Sequence, residues 1–252
     1  MSKIIKAALI TGASSGIGAA TAIHFSKQGY FVYLMGRNKD RLLNVALECP
    51  SGASVLACDI TDGPAVLKRL KEATSNPQHQ IEVLVNNAGI YHQHKIEDGS
   101  DELWLEEFNT NLLGSVRITR ELFPYFRERK KGSIVNVSST LALRPVAGTS
   151  AYSAIKAAMR TWTQSLAIEG APHIRANVVC PGLVETPIHG LDNLPAEKKQ
   201  AVLDKMNSMQ PLQRVGTPEE IAKTIFFLAS EDSSWTTGAT ISVDGGIFFA
   251  GN

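Results

Sequence analysis

Apolar residues run along this chain in two alternating rhythms. Short, nearly unbroken apolar runs at 7–11, 31–35, 54–58, 83–86, 133–137, 175–179 and 240–243 read as strands. Runs of that kind suit strands buried on both faces. Between them, apolar positions recur at helical spacing over 17–28, 39–48, 63–74, 101–129, 151–169, 196–206 and 218–230. Strands separated by helices predict βαβ units and an α/β fold, a doubly wound parallel sheet with helices on both faces. No linker rich in proline, glycine and serine, no repeat and no low-complexity tract interrupts the pattern. A single domain over 1–252 is the economical reading.

Composition narrows the function more by exclusion than by assertion. The 252 residues are 44% hydrophobic and 19% charged, ordinary globular usage that argues for a packed core. A formal net charge of +1 makes no electrostatic case for nucleic acid or an anionic membrane. Cys49, Cys58 and Cys180 are odd in number and far apart, which argues against disulfides and zinc and for a reducing compartment, hence the cytoplasm. Met1-Ser2-Lys3-Ile4-Ile5-Lys6 carries too short an apolar run for a signal peptide, and no window approaches the roughly 20 apolar residues of a membrane span.

The chemistry begins directly after the first strand. Thr11-Gly12-Ala13-Ser14-Ser15-Gly16-Ile17-Gly18 is a glycine turn that opens a helix. Glycines let phosphates approach the backbone, and a helix N-terminus offers free N–H groups and a positive dipole end. In this position the turn suits a dinucleotide pyrophosphate; a plain tight turn is the alternative. The second strand ends in Gly36-Arg37-Asn38, with no carboxylate for a ribose diol. Arg37 offers instead a planar cation suited to a 2′-phosphate, which favours NADP over NAD unless it is simply a surface arginine. Asp59, followed by Ile60, closes the third strand, either to accept from an adenine amine or to cap the next helix. Asn86-Asn87-Ala88-Gly89 closes the fourth, where small residues would let a flat cofactor lie on the backbone. Asn111 lies inside a long helical stretch, where asparagine is a poor helix former, and so marks a function, a kink or a core hydrogen bond. His92 and His94 have strand spacing, but no Cys, Asp or Glu completes a ligand pattern, so no metal is expected.

Two tyrosines are followed four residues later by lysine: Tyr91 with Lys95, and Tyr152 with Lys156. Only the second pair leads an apolar helix pattern, through Ala157, Met159, Trp162 and Leu166, and residues four apart on a helix share a face. A free tyrosine, with a pKa near about 10, is a weak base at neutral pH; a nearby ammonium favours the phenolate. Ser138 and Ser139 end the strand before this helix, and Ser139 is placed to hydrogen-bond a substrate oxygen while Tyr152 moves its proton.

Together these residues resemble the short-chain dehydrogenases/reductases in their single-domain form. The matches are Thr11-Gly12-x-x-x-Gly16-x-Gly18, Asn86-Asn87-Ala88-Gly89, Asn111, Ser139, Tyr152-x-x-x-Lys156 and Pro181-Gly182-Leu183-Val184-Glu185-Thr186. The resemblance runs nearly end to end, to Val243-Asp244-Gly245-Gly246. It implies a Rossmann-type sheet of seven parallel strands and a tetrad of Asn111, Ser139, Tyr152 and Lys156. By that likeness Tyr152 is the general acid/base and Ser139 holds the carbonyl. Lys156 holds the nicotinamide ribose and lowers the tyrosine pKa, and the Asn111 position keeps a water in the proton relay. Pro181, Gly182, Val184 and Thr186 lie against the nicotinamide half of the cofactor. Arg37 looks like the NADP-preferring members; Ser15, where many of those carry a basic residue, departs from them. The segment 188–216, with Leu191, Leu194, Met206 and Met209, corresponds to a substrate lid. The long helix 101–129 and the small-residue helix 151–169 resemble those that build the family's dimers and tetramers.

The expectation is an NADP(H)-dependent oxidoreductase that interconverts a carbonyl and an alcohol, assembled as a homotetramer or homodimer. An NAD-linked alcohol dehydrogenase and a non-catalytic cofactor sensor or scaffold are the alternatives. The motifs address cofactor and chemistry, so they leave substrate and direction open.

Overall fold

The computed structural model describes residues 4–190 and 194–250. Seven parallel strands form one sheet in the order β3-β2-β1-β4-β5-β6-β7. They are β1 (Ile5–Thr11), β2 (Phe31–Gly36), β3 (Ala53–Ala57), β4 (His79–Asn86), β5 (Gly132–Val137), β6 (Ile174–Pro181) and β7 (Thr240–Val243). Helices α1 (Gly16–Lys27), α2 (Lys39–Leu47) and α8 (Pro218–Ala229) cover one face. Helices α3 (Gly63–Thr74), α5 (Gly114–Glu128) and α6 (Ser150–Gly170) cover the other. Alternation along the strands feeds both layers. Ala8 and Ile10 of β1 face α1 and α8, whereas Ala7 and Leu9 join the cluster built with α3, α5 and α6. Both sets are completely buried, which is why these strands read as apolar runs. Among the described residues no helix is long and apolar enough to cross a membrane.

The region 101–129 departs from expectation. It is not one helix but α4 (Asp101–Phe108), a π-helical turn (Asn109–Leu113) and α5. Asn111 causes the break. Its Nδ2 donates to the Ile90 carbonyl at 2.9 Å and its Oδ1 accepts from the Ile90 amide at 2.7 Å. Such π turns widen a helix by one residue and collect where a side chain has a job other than helix packing. Between the resulting α5 and the neighbouring α6, Asn86 and Asn136 form a buried ladder. Asn86 donates to Asn136 at 2.8 Å and to Thr119 at 3.0 Å, and Asn136 donates to Thr163 at 2.8 Å. Through these donated bonds the two amides tie β4 and β5 to the two helices beneath the C-terminal strand ends, with Asn86 Oδ1 left without a partner.

Helix α8 starts on a capping box. Thr217 accepts from the Glu220 amide, and the Glu220 carboxylate accepts from the Thr217 amide at 2.8 Å. Arg214 grips the same carboxylate with two nitrogens, at 2.6 and 2.9 Å. These donors pull the Glu220 pKa down to about 2, Arg214 first and then Thr217. A depressed carboxylate contributes stability above its unfolded pKa, and that contribution is lost as pH falls through the folded one. The pair lies at the surface, so solvent screening keeps its contribution small. Glu220→Gln should therefore melt slightly below the parent at pH 7, and the gap should close toward pH 2. A gap that stays constant across that range would assign the loss to something other than charge.

Candidate active site

The strand order reverses between β2 and β4, on either side of β1, and the crevice at such a switch point is where open α/β sheets bind ligands. Thr11 and Gly12 stitch the two sides together. The Thr11 hydroxyl accepts from the amides of Asn87 at 2.9 Å and Ala88 at 3.0 Å, and Asn87 Nδ2 donates to the Thr11 carbonyl at 3.0 Å. Gly12 has φ +64°, and a Cβ there would come within 2.8 Å of the Ala88 Cα. Glycine is needed on both counts.

A cleft of about 690 Å³ opens above this seam. Volumes of roughly 300–1,000 Å³ are usual for small-molecule sites. One end is lined by Gly12, Ser14, Ser15, Gly16, Ile17, Arg37, Asn38, Arg41, Asp59 and Ile60. Asn87, Ala88 and Gly89 form its floor. Ser139, Tyr152, Lys156, Pro181, Gly182, Val184 and Thr186 line the other end. Residues predicted from seven separate stretches of chain thus meet in one place.

Two predicted residues do not line it. Gly18 lies beneath the turn: a Cβ on it would sit 2.2 Å from the Gly12 carbonyl oxygen. Its role is to let α1 close onto the turn. Asn111 is fully buried behind the cleft, with its amide spent on Ile90. Asp59 does not cap α3. It accepts from the amide and hydroxyl of Thr61 at 2.9 and 2.8 Å, and Asp62 caps α3 by accepting from Ala65 at 3.0 Å. Of the lid residues, Met209 lines the cleft, Met206 is buried in packing, and Leu191 lies outside the described residues.

The choice between the two serines is clear. Ser138 is buried and donates to the Lys156 carbonyl at 2.8 Å. Ser139 faces the cleft, and its hydroxyl hydrogen-bonds the Tyr152 phenol. Lys156 is buried and its Nζ donates to the Val137 carbonyl at 2.8 Å, about the C-terminal end of β5. Burial holds its pKa down at about 8 against the opposing pull of Cys180 and Glu107.

The expected depression of the tyrosine pKa is reversed. Burial pushes the Tyr152 phenol well above its ordinary value, Glu107 and Tyr91 push the same way, and only the Ser139 hydrogen bond opposes them. The physical reason is desolvation: the phenol is buried, and Lys156, whose Nζ donates to the Val137 carbonyl and stands 5.6 Å from the tyrosine ring centroid, does not offset it. In this state the phenol holds its proton through neutral pH.

Three groups in the site escaped sequence reasoning. Arg41 lines the cleft beside Arg37; its spacing of four residues on the first turn of α2 was the available signal. Tyr91, whose pairing with Lys95 is a loop coincidence, packs its ring edge-on against Tyr152 with centroids 5.0 Å apart. The substrate end is closed by Ile188, His189 and Met209 of the expected lid segment and by Leu141, Val146 and Ile247, which come from scattered loops with no shared pattern. Arg144 ties the last of these down by donating to the carbonyls of Phe248 and Ala250.

This geometry fits a dinucleotide. The α1 N-terminus has no side-chain cap at Ser15 and no acidic residue in its first turn, so its amides are left for an anion. Gly89 leaves room for the Asn111 amide: a Cβ there would lie 3.0 Å from Asn111 Oδ1. A parallel sheet of this order, with a serine, tyrosine and lysine at the C-terminal edge, defines a nicotinamide-dependent oxidoreductase. The family described as enoyl-(acyl carrier protein) reductase matches residues 12–248. A 3-oxoacyl-(acyl-carrier-protein) reductase of Thermotoga maritima is 37% identical over 249 residues, covering 96% of this chain and 97% of its own. An acetoacetyl-CoA reductase of Rhizobium meliloti is 36% identical, covering 97% and 99%. The solved structure of actinorhodin polyketide ketoreductase with NADPH superposes with a TM-score of 0.90 at 30% identity, covering 97% of each chain. The chain belongs to the short-chain dehydrogenase/reductase family.

Proposed function

We propose that this protein is an NADP(H)-dependent reductase of ketones, with Tyr152 as the proton donor. The observation that carries the reading is the meeting of Ser139, Tyr152 and Lys156 with the glycine turn and Arg37 in one cleft. Gly12, Ser14, Ser15, Gly16 and Ile17 hold the pyrophosphate, Arg37 and Arg41 the 2′-phosphate, and Asp59 and Ile60 border the adenine. Lys156 reaches the nicotinamide ribose, and Pro181, Gly182, Val184 and Thr186 back the nicotinamide ring. NADPH, when bound there, would supply a hydride for the carbonyl carbon. Ser139 donates a hydrogen bond to the carbonyl oxygen, and Tyr152 delivers its proton there as negative charge builds. A phenol held protonated by burial is in the form that reduction requires. Ile188, His189 and Met209 of the expected lid border the substrate end.

The substrate end is mostly apolar, and relatives act on acetoacetyl-CoA and 3-oxoacyl groups, so β-keto thioesters with short aliphatic chains are the first compounds to assay. Ser15 favours the second reading, an NAD-linked alcohol dehydrogenase, because it supplies no second cation for a 2′-phosphate. Arg37→Ala separates the two. It should weaken NADPH binding about 10- to 100-fold, the worth of one charge-assisted contact, and leave NADH binding alone. Equal affinities for NADPH before and after the change would refute the role of Arg37. A carbonyl and alcohol panel with both coenzymes tests the activity itself.

A further inference from the structure

The loop after β4 carries Tyr91, and two side chains of the α4–π segment grip the backbone on either side of it. Asn111 makes two hydrogen bonds to Ile90, at 2.7 and 2.9 Å. Glu107, four residues earlier, accepts from the His92 amide through Oε1 at 2.7 Å. Two residues farther along, the His94 amide donates to the Gly148 carbonyl at 3.1 Å. Tyr91 is thereby pinned where its ring meets that of Tyr152 edge-on, 5.0 Å between centroids and 75° between planes.

Glu107 is an unusual residue for this place. It is completely buried, and its second oxygen has no hydrogen-bond partner in the structure. A leucine or isoleucine would fill the same space without the cost of burying a carboxyl. The groups facing it come from every element packed around it: Tyr91, His92 and His94 from the loop, and Tyr152 and Lys156 from α6. Cys180 of β6 faces the same tyrosine and lysine. Burial holds the Glu107 carboxyl above the usual range, opposed by the His92 amide and by His92, His94 and Lys156.

We propose that Glu107 is a positioning residue for proton transfer: with Asn111 it clamps Tyr91 against Tyr152. Where its carboxyl is ionised, that charge disfavours the Tyr152 phenolate. The proposal rests on the reading of Tyr152 as the proton donor. It goes beyond that reading by adding a buried acid and a second tyrosine to the machinery.

Two variants test it. Glu107→Leu removes the clamp and should lower kcat about tenfold or more through misplacement, with NADPH affinity unchanged. In a Tyr91→Ala background the same change should cost nothing further, because Glu107 acts through that ring. Glu107→Gln keeps the acceptor for His92 and should restore kcat. It removes the negative charge, so the rise of alcohol oxidation with pH should move down by about one unit. Loss of kcat to the same degree in both backgrounds, or no loss in either, overturns the clamp. An unshifted profile for the glutamine variant overturns the electrostatic role, and that variant carries the test if the leucine variant does not fold. If the parent turns over no substrate, the reductase reading fails separately. Tyrosinate absorbance against pH, blanked with Tyr152→Phe, then reads the Glu107 effect without turnover. Onset at lower pH in Glu107→Gln supports it, and an unchanged onset rejects it.

Discussion

Replacing Tyr152 by phenylalanine is expected to lower kcat in both directions by roughly 10²–10⁴-fold, the usual worth of a positioned general acid. Coenzyme affinity should change little, since the phenyl ring keeps its place. It is buried, packs on Tyr91 and loses only the Ser139 hydrogen bond. That bond is worth about 1 kcal/mol, or roughly 2–4 °C in melting temperature for a chain of this size. Stopped turnover in a folded protein that still binds NADPH is the expected result. Turnover near the parental rate would mean that water or another group supplies the proton. The parental pH profile carries its own signature. Burial raises the phenol pKa, so the acid form persists through neutral pH. Ketone reduction should be flat there and fall only on the alkaline side. Alcohol oxidation, which needs the phenolate, should climb with pH.

The second large effect is expected from Gly18→Ala, one methyl group placed where nothing can yield. Its Cβ would stand 2.2 Å from the Gly12 carbonyl oxygen and 2.5 Å from Asn87 Nδ2. The carbonyl is backbone, and the amide is already committed to Thr11. Either α1 moves off the turn or the seam between β1 and β4 opens. Overpacking of this kind costs about 1–3 kcal/mol, occasionally more. A fall in melting temperature of roughly 4–10 °C should accompany it, together with a clear loss of dinucleotide affinity, because the displaced helix end is the phosphate cradle. Gly63→Ala is the control, since a Cβ there meets nothing within 4 Å. Calorimetry and coenzyme titration on the pair decide the matter. If Gly18→Ala matched Gly63→Ala, the close approach of helix and turn would be unimportant.

Much of the site was legible because its parts are local. Glycine spacing after an apolar run places a phosphate turn through the steric needs of a few consecutive residues, and an interval of four on a helix puts Tyr152 and Lys156 on one face. Ser139 was distinguished from Ser138 by resemblance, and the alternation of the strand accounts for it: one hydroxyl points in, to the Lys156 carbonyl, and the next points out to the cleft. The unbroken helix over 101–129 failed because the cause of its break is Ile90, twenty-one residues before Asn111 and invisible in local periodicity. The role assigned to Gly18 shifts from ligand contact to packing for the same reason: what a Cβ there would strike is Gly12 and Asn87, distant in sequence or across a turn.

Periodicity and spacing by themselves determined the alternating α/β architecture and which side chains arrive at the C-terminal strand ends, since those depend on neighbours along the chain. Tertiary structure alone decided how those side chains behave once there. Burial keeps the Tyr152 proton on, Lys156 Nζ donates to the Val137 carbonyl, and Glu107 accepts from the His92 amide although its own stretch reads as ordinary helix. Desolvation and through-space charge depend on what packs around a group in three dimensions, and no local pattern records that.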